Sequence, residues 1–151
     1  NGQPMNVIPE PGGELIRAGW IGTLVFVATA VIATIDPDAL GWPGIIVSLV
    51  LFAAGAVAML MAFFTAVERS RTQTIAVGGL YFGAGSTPRI IRWHLLGATA
   101  IQLLVGMTTA SIRPFTVVAF GTLVPIFGLG LMGLWTARHG QFPEREPDPK
   151  R

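Results

Sequence analysis

Four long stretches of the chain carry no Asp, Glu, Lys or Arg, and the charged residues gather between them. These stretches are residues 18–35, 44–67, 93–112 and 114–137. A helix needs about 20 apolar residues to cross a bilayer, and only helices or closed barrels satisfy their backbone in lipid. The stretches lack the strict alternation of barrel strands. The pattern therefore predicts an all-α membrane protein with four transmembrane helices, and residues 18–137 form the transmembrane domain.

The composition agrees with a surface covered by lipid. Of the 151 residues, 52% are hydrophobic and only 12% are charged, whereas soluble domains carry about 25% charged residues. The mean hydropathy is +0.63. The chain has no cysteine, so it offers neither disulfides nor thiolate ligands.

The basic residues lie almost entirely on one side of the predicted spans. Nine of the ten, all except Arg113, fall in the segment 1–17, the loop 68–92 or the tail 138–151. Cytoplasmic loops of membrane proteins carry an excess of Lys and Arg. We therefore expect both termini and the 68–92 loop to be cytoplasmic, in a multi-pass protein of the bacterial plasma membrane.

The connections on the other side are short. Residues 36–43 join the first two spans, and residues 113–114 join the last two. Short links favour antiparallel neighbours, so the sequence predicts two antiparallel helical hairpins. The prolines and glycines of residues 1–17 disfavour a helix and indicate an extended N-terminal tail.

Small residues at four-residue spacing mark one face of the second and third spans. In lipid, helices associate through the close approach of small side chains and through a few polar contacts. We expect this face to pack within the chain or to dock another subunit. Its members are Ala54, Ala58, Ala62 and Ala66 in the second span, and Ala98, Gln102, Gly106 and Ala110 in the third.

The spans hold two features that a transport path also uses. Gln102 is a strongly polar side chain deep in a span; we expect it to bond a neighbouring helix, with Thr99 or Thr109 as weaker partners. Pro125 removes the helical donor of the Gly121 carbonyl, which predicts a bend in the fourth span that Thr122 or a neighbouring helix relieves. Either feature is a packing device or part of a pathway.

Candidate catalytic and metal-ligating groups are sparse. Asp36 and Asp38 flank a proline between the first two spans, where a turn or N-cap role is favoured over cation binding. His94 and His139 lie near the same predicted side, a pair that haem ligation would require, but interfacial histidines without a cofactor are the commoner case. We see no catalytic cluster. We predict no cofactor, no metal, no nucleic-acid partner and no intrinsic enzyme activity.

The glycine-rich stretch "VGGLYFGAGSTPR", residues 77–89, lacks the lysine of a nucleotide-binding loop. The Gly78-Gly79 pair between "TIAV" and "LYFG" predicts a short β-hairpin resting on the membrane or on a partner. Ser86 or Thr87 is expected to cap the third span, with Pro88 in its first turn. The arginines of this region are predicted to contact lipid headgroups; they are Arg69, Arg71, Arg89 and Arg92.

The run "SIRPFTVVAFGTLVPIFGLGLMGLWTARHGQFP", residues 111–143, resembles small uncharacterised four-helix membrane proteins of actinobacteria, the mycobacterial group in particular. Such proteins are similar to the small accessory subunits of the cytochrome bc–aa3 respiratory supercomplex. The resemblance implies a place in the respiratory chain, and it assigns no catalytic residue.

Three functions follow from the sequence. The favoured one is a non-catalytic accessory subunit that binds other integral-membrane subunits and membrane lipids. The alternative is a small oligomeric transporter or channel that uses the bent fourth helix and Gln102. The third is a membrane enzyme acting on lipid, for which the sequence supplies no acid, base or nucleophile cluster.

Overall fold

The computed structural model describes residues 11–146, and the fold there is helical. It contains four helices long and apolar enough to cross a membrane, which confirms the predicted all-α class and agrees with the four predicted spans. The helices are α1 (Gly13–Ile35), α2 (Pro37–Arg69), the short α3 (Val77–Tyr81), α4 (Arg89–Ile112) and α5 (Pro125–His139); a 3-10 segment (Val117–Leu123) precedes α5 and completes the fourth span.

Two helices begin earlier than the absence of charge suggested. Helix α1 starts at Gly13, inside the predicted extended tail, and the residues before position 11 lie outside those described. Helix α2 starts at Pro37 because the Asp36 carboxylate accepts a hydrogen bond from the Ala39 N–H, at 3.1 Å, and caps the helix. Residues 37–43, expected as a loop, are therefore the first turns of α2. The predicted N-cap role of Asp36 is confirmed.

The fourth span changes its helix type just before Pro125. The 3-10 segment runs up to Val124, and Pro125 stands at the first position of α5, where no N–H is needed. The Gly121 carbonyl accepts a hydrogen bond from the Val124 N–H, at 3.2 Å. The expectation that Thr122 or a neighbouring helix would supply the missing donor is therefore wrong, since a 3-10 turn supplies an N–H from three residues on. Thr122 bonds the Ala119 carbonyl instead.

The fourth span lies at the centre of the packing. In its most apolar window 61% of the residues are buried, against 22% to 33% in the other three spans. Helix α2 packs most extensively against α5, α1 packs against α2 and α4, and α4 covers both the 3-10 segment and α5. The core is formed around Phe26, Leu95 and Met132, which are at most 1% exposed.

Polar contacts join the helix ends in two groups. At the end that carries most of the arginines, Arg69 of α2 bonds the Ala137 carbonyl of α5, and Trp135 bonds the Pro11 carbonyl before α1. We call this the arginine-rich end. At the opposite end, Arg113 bonds the Thr34 carbonyl of α1, at 3.2 Å.

Candidate functional site

Small residues bring α2 and α5 into backbone contact. Ala58, Ala62 and Ala66 of the predicted packing face are buried, but Ala54 is exposed and Gly55 takes its place. The reason is helix geometry: at about 100° per residue, position 54 lies roughly 120° around the helix from position 66, and position 55 only about 20°. A four-residue spacing therefore leaves the contact face after three steps.

Two glycines form the closest point of this crossing. A Cβ atom added at Gly55 would lie 2.6 Å from the Ile126 carbonyl carbon, and one added at Gly130 would lie 3.0 Å from the Gly55 carbonyl carbon. Real Cβ atoms do not approach other atoms closer than 3.0 Å. Only glycine at both positions allows α2 and α5 to touch here.

On α4, too, the residues spaced by four leave the contact face after three steps. Ala98, Gln102 and Gly106 are buried, whereas Ala110 is half-buried and Thr109 is buried beside it. Gly106 faces the backbone of Gly121, since a Cβ there would lie 3.0 Å from the Gly121 carbonyl carbon. The 3-10 segment therefore packs directly on α4.

Gln102 is fully buried and bonds across the bundle to α1. Its side-chain N–H donates to the Thr23 hydroxyl at 2.8 Å, and Thr23 donates in turn to the Gly19 carbonyl at 2.7 Å. Thr99 and Thr109, the partners suggested by sequence, bond the carbonyls of their own helix. The Gln102 Oε1 atom has no hydrogen-bond partner within residues 11–146.

Helix α5 closes over this polar group. A Cβ added at Gly128 would lie 3.0 Å from the Gln102 Oε1 atom and would collide with the Thr99 hydroxyl. Pro125 and Val124, just before Gly128 in the chain, are buried as well. The first turn of α5 therefore packs, at Gly128, against the polar residues that a pathway would expose.

The arginines predicted to bind lipid separate into different roles. The Arg69 guanidinium donates to the Ala137 carbonyl at 2.7 Å and to the Gly140 carbonyl at 2.9 Å, and it lies 5.2 Å from the centre of the Phe142 ring. Carbonyls at a helix C-terminus attract cations, so Arg69 caps α5 and is not a free headgroup ligand. Arg71 and Arg89 are exposed, and Arg92 is half-buried.

The two histidines have separate aromatic neighbours. The Nδ1 atom of His94 accepts a hydrogen bond from the Trp20 indole at 3.3 Å, which fixes the imidazole between α1 and α4. His139 lies against Trp135, with ring centres 5.4 Å apart. Within residues 11–146, the side chains of His, Asp and Glu form no group of three or more that would hold a metal.

The glycine-rich connector is a short helix and a turn, and the predicted β-hairpin is wrong. Residues 77–81 form α3, with helical hydrogen bonds from the Leu80 N–H to the Ala76 carbonyl and from the Phe82 N–H to the Gly78 carbonyl, and the buried Ser86 hydroxyl donates to the Gly79 carbonyl at 2.6 Å. The left-handed residues are Gly83 and Gly85, with φ of 61° and 73°, and not the Gly78-Gly79 pair. Ser86 is thereby used within the connector.

The start of α4 differs from the prediction because Ser86 and Thr87 make other contacts. Pro88 is the N-cap of α4, and neither Ser86 nor Thr87 caps it. The Thr87 hydroxyl instead lies 3.1 Å from the Thr136 hydroxyl of α5. The connector is thus fastened to the fourth span.

Further contacts hold the connector to the rest of the chain. The Tyr81 hydroxyl donates to the Met59 carbonyl of α2 at 3.1 Å, and burial raises the pKa of this hydroxyl, which keeps it a neutral donor. Thr74 N–H donates to the Pro143 carbonyl and Arg145 N–H to the Thr72 carbonyl, both at 2.9 Å. The segment after α5 therefore pairs with the connector as far as Arg145.

Aromatic side chains near the helix ends differ widely in exposure. Trp42 and Trp93 are more than 70% exposed, which is typical of aromatic side chains at a membrane interface, whereas Trp135 is 2% exposed and its indole bonds the Pro11 carbonyl. Phe115, at the opposite end, is fully exposed and has a left-handed backbone with φ of 62°. A bulky residue in this region is a strained outlier.

Some contacts that the sequence analysis missed have a signal in the sequence, and others have none. Gly55 stands inside "AAGAVA". A helical wheel of the second span places it only about 20° from Ala66, so the wheel would have indicated that Gly55 belongs to the packing face. The Arg69 and Trp20 contacts join residues 68 to 74 positions apart, and nothing local in the sequence indicates them.

Comparisons with known proteins give no relative. No family model matches the chain, and neither a curated protein nor a solved structure is significantly similar to it.

Proposed function

We propose that this chain is a non-catalytic accessory subunit of a larger integral-membrane complex. The observation that carries the proposal is the closed packing around the buried Gln102 and around the start of α5. Gln102 is buried against Thr23 and Gly128, and Pro125 is buried at the start of α5. A bundle built in this way acts as a scaffold, and its outer faces on α1, α2 and α4 remain for neighbouring membrane proteins.

Phe115 supports a partner contact at the opposite end of the bundle. Strained backbone persists where the rest of the structure enforces it, and it clusters at binding and switch regions. Here the strain presents a fully exposed aromatic ring, and aromatic side chains are enriched in the central contacts of protein interfaces. We propose that Phe115 enters a pocket of a partner subunit.

The proposed topology is two antiparallel hairpins with both termini in the bacterial cytoplasm. Nine of ten basic residues in the sequence support this orientation, and the Arg69 and Trp135 hydrogen bonds join helix ends that would share the cytoplasmic side. Single cysteines test it, since the chain has none. A membrane-impermeant maleimide should label Asp38→Cys, an exposed position at the opposite end of the bundle, in intact cells and Arg71→Cys only after permeabilisation; the reverse pattern would contradict the topology.

The respiratory chain is proposed as the host complex from the resemblance of residues 111–143. The closed bundle is compatible with it, because it needs no redox group of its own. Spectra of the purified complex supply the test: absorption bands of haem in the material that copurifies support the assignment, and a haem-free set of partners contradicts it.

The accessory role is tested by affinity purification of the tagged chain after mild detergent extraction, followed by quantitative mass spectrometry. We expect a fixed set of larger integral-membrane proteins in constant ratio to the chain. Phe115→Gly should lower that ratio, and Phe82→Gly, at an exposed aromatic in the connector, is the matched control. Recovery of the chain alone as a homo-oligomer would contradict the proposal.

The alternative is a small oligomeric transporter or channel, and the unpaired Gln102 Oε1 atom is the observation that favours it. Such an atom in a pathway would bind a passing solute or water. Reconstitution in liposomes separates the two functions: solute flux that Gln102→Leu abolishes supports transport, and liposomes without flux support the accessory role.

A further inference from the structure

A groove on the outer face of α4 has a charged mouth and an apolar floor. It is lined by Arg89, Arg92, Trp93, Leu96, Gly97 and Ala100 and has a volume of about 430 Å³. Sites that bind small molecules commonly enclose about 300 to 1,000 Å³. The groove is therefore large enough for part of an amphiphile.

The mouth of the groove is positively charged and incompletely paired. The Arg92 Nε atom is buried and has no hydrogen-bond partner in the described part of the chain. Arg89 is exposed one turn earlier on the same helix, and the lining residues include no carboxylate. Guanidinium groups bind phosphate through paired, charge-assisted hydrogen bonds, so the mouth is complementary to a phosphate.

The floor of the groove is open because Gly97 has no side chain. A Cβ added at Gly97 would meet no atom within 4 Å, and Ala100 continues the same shallow surface. The rise of a helix places Ala100 about 12 Å from Arg92 along the axis, within the roughly 15 Å thickness of one leaflet's hydrocarbon. Trp93, 73% exposed beside the arginines, is a residue type that marks the headgroup level.

We propose that this groove binds one anionic phospholipid, with its phosphate between Arg89 and Arg92 and one acyl chain over Gly97 and Ala100. Of the four arginines that the sequence predicts to contact headgroups, the proposal uses Arg89 and Arg92. Arg69 is excluded because its guanidinium caps α5. A protein helix in this groove would have to place a carboxylate beside the two arginines and an apolar side chain over Gly97. An anionic lipid carries the phosphate and the acyl chain in one molecule, so it fits both parts of the groove.

Native mass spectrometry of the purified, delipidated full-length chain tests the proposal. Phosphatidylglycerol is titrated against phosphatidylcholine with the same acyl chains, and glycerol 3-phosphate is added as a headgroup without chains. We expect tighter binding of phosphatidylglycerol that glycerol 3-phosphate does not displace. The electrostatic attraction of one arginine to an anionic lipid tightens binding about five- to sixfold. The double variant Arg89→Gln with Arg92→Gln should therefore weaken binding about 30-fold. Arg71→Gln removes an exposed arginine outside the groove and should leave binding unchanged.

A second variant fills the floor of the groove and keeps the charges. Gly97→Leu has room in the structure and should fold, yet it should weaken phosphatidylglycerol binding as well. High salt should weaken binding to the unaltered chain, because screening acts on an exposed charged mouth. Equal affinity for the two lipids, displacement by glycerol 3-phosphate, or unchanged binding in Gly97→Leu would each overturn the proposal.

Discussion

The contact between α2 and α5 depends on the absence of a side chain at Gly55. A Cβ at this position would lie 2.5 Å from the Phe127 backbone nitrogen and 2.6 Å from the Ile126 carbonyl carbon, whereas ordinary contact begins at 3.4 Å. Both obstructing atoms are backbone, so no side chain rotation relieves the overlap. Gly55→Ala therefore forces the two helices apart by about 0.8 Å at this crossing.

The cost follows from the contacts that the separation loosens. A gap of 0.5 to 1 Å forfeits a quarter to a half of the dispersion energy of each contact it opens, and Ala58 and Ala62 lie on the same face. Overpacking a core costs typically about 1 to 3 kcal/mol. We expect Gly55→Ala to lower the free energy of unfolding by about 3 kcal/mol, at the upper end of that range, because backbone cannot yield.

Thermal unfolding in detergent, followed by circular dichroism, measures this effect. A loss of about 3 kcal/mol corresponds to a midpoint about 6 to 12 °C lower for a chain of this size. Gly97→Ala is the matched control, since a Cβ there meets nothing within 4 Å; its helix propensity should raise stability by up to about 1 kcal/mol. Equal midpoints for Gly55→Ala and the unaltered chain would refute the backbone contact.

Three further substitutions test other parts of the structure. Gln102→Leu should change the unfolding free energy by less than about 1 kcal/mol, since Thr23 keeps its own carbonyl bond; a loss as large as that of the glycine variant would show that the amide stabilises the bundle. Arg69→Gln should lower stability by about 1 to 2 kcal/mol through two lost carbonyl contacts, and Arg71→Gln should not; equal midpoints would argue against the cap. Phe115→Gly should raise stability by about 1 kcal/mol by relieving left-handed strain while partner recovery falls; lower stability would remove the evidence for strain.

The spans were predictable because a bilayer leaves a chain few choices. A charge-free stretch of about 20 residues has to form a helix to satisfy its backbone in lipid, and all four such stretches do so. Their starting residues were less predictable. Helix α2 extends back to Pro37 because the Asp36 cap and the proline favour a helix start, and this local chemistry outweighs the charges used to draw the boundary.

The connector and the arginines show where local pattern fails. Gly78-Gly79 suits a tight turn, yet both residues lie in a short helix whose Gly79 is buried and accepts a hydrogen bond from Ser86. Arg69 has the composition of a headgroup ligand, and its actual partners lie 68 and 71 positions away in α5 and just beyond it. Such contacts depend on which helix is the neighbour, and one sequence does not encode that choice in any local pattern.

The closed packing around the buried polar pair is the central claim about this protein, and the cysteine-free chain allows it to be tested directly. A thiol reacts with a charged methanethiosulfonate only where water reaches it as thiolate. Thr23→Cys places a thiol at a site 2% exposed beside Gln102. In native membranes we expect it to stay unmodified over the time in which Arg71→Cys reacts completely, and to react after denaturation. Rapid modification of Thr23→Cys in the native membrane would mean that water reaches the interior and would contradict the closed bundle.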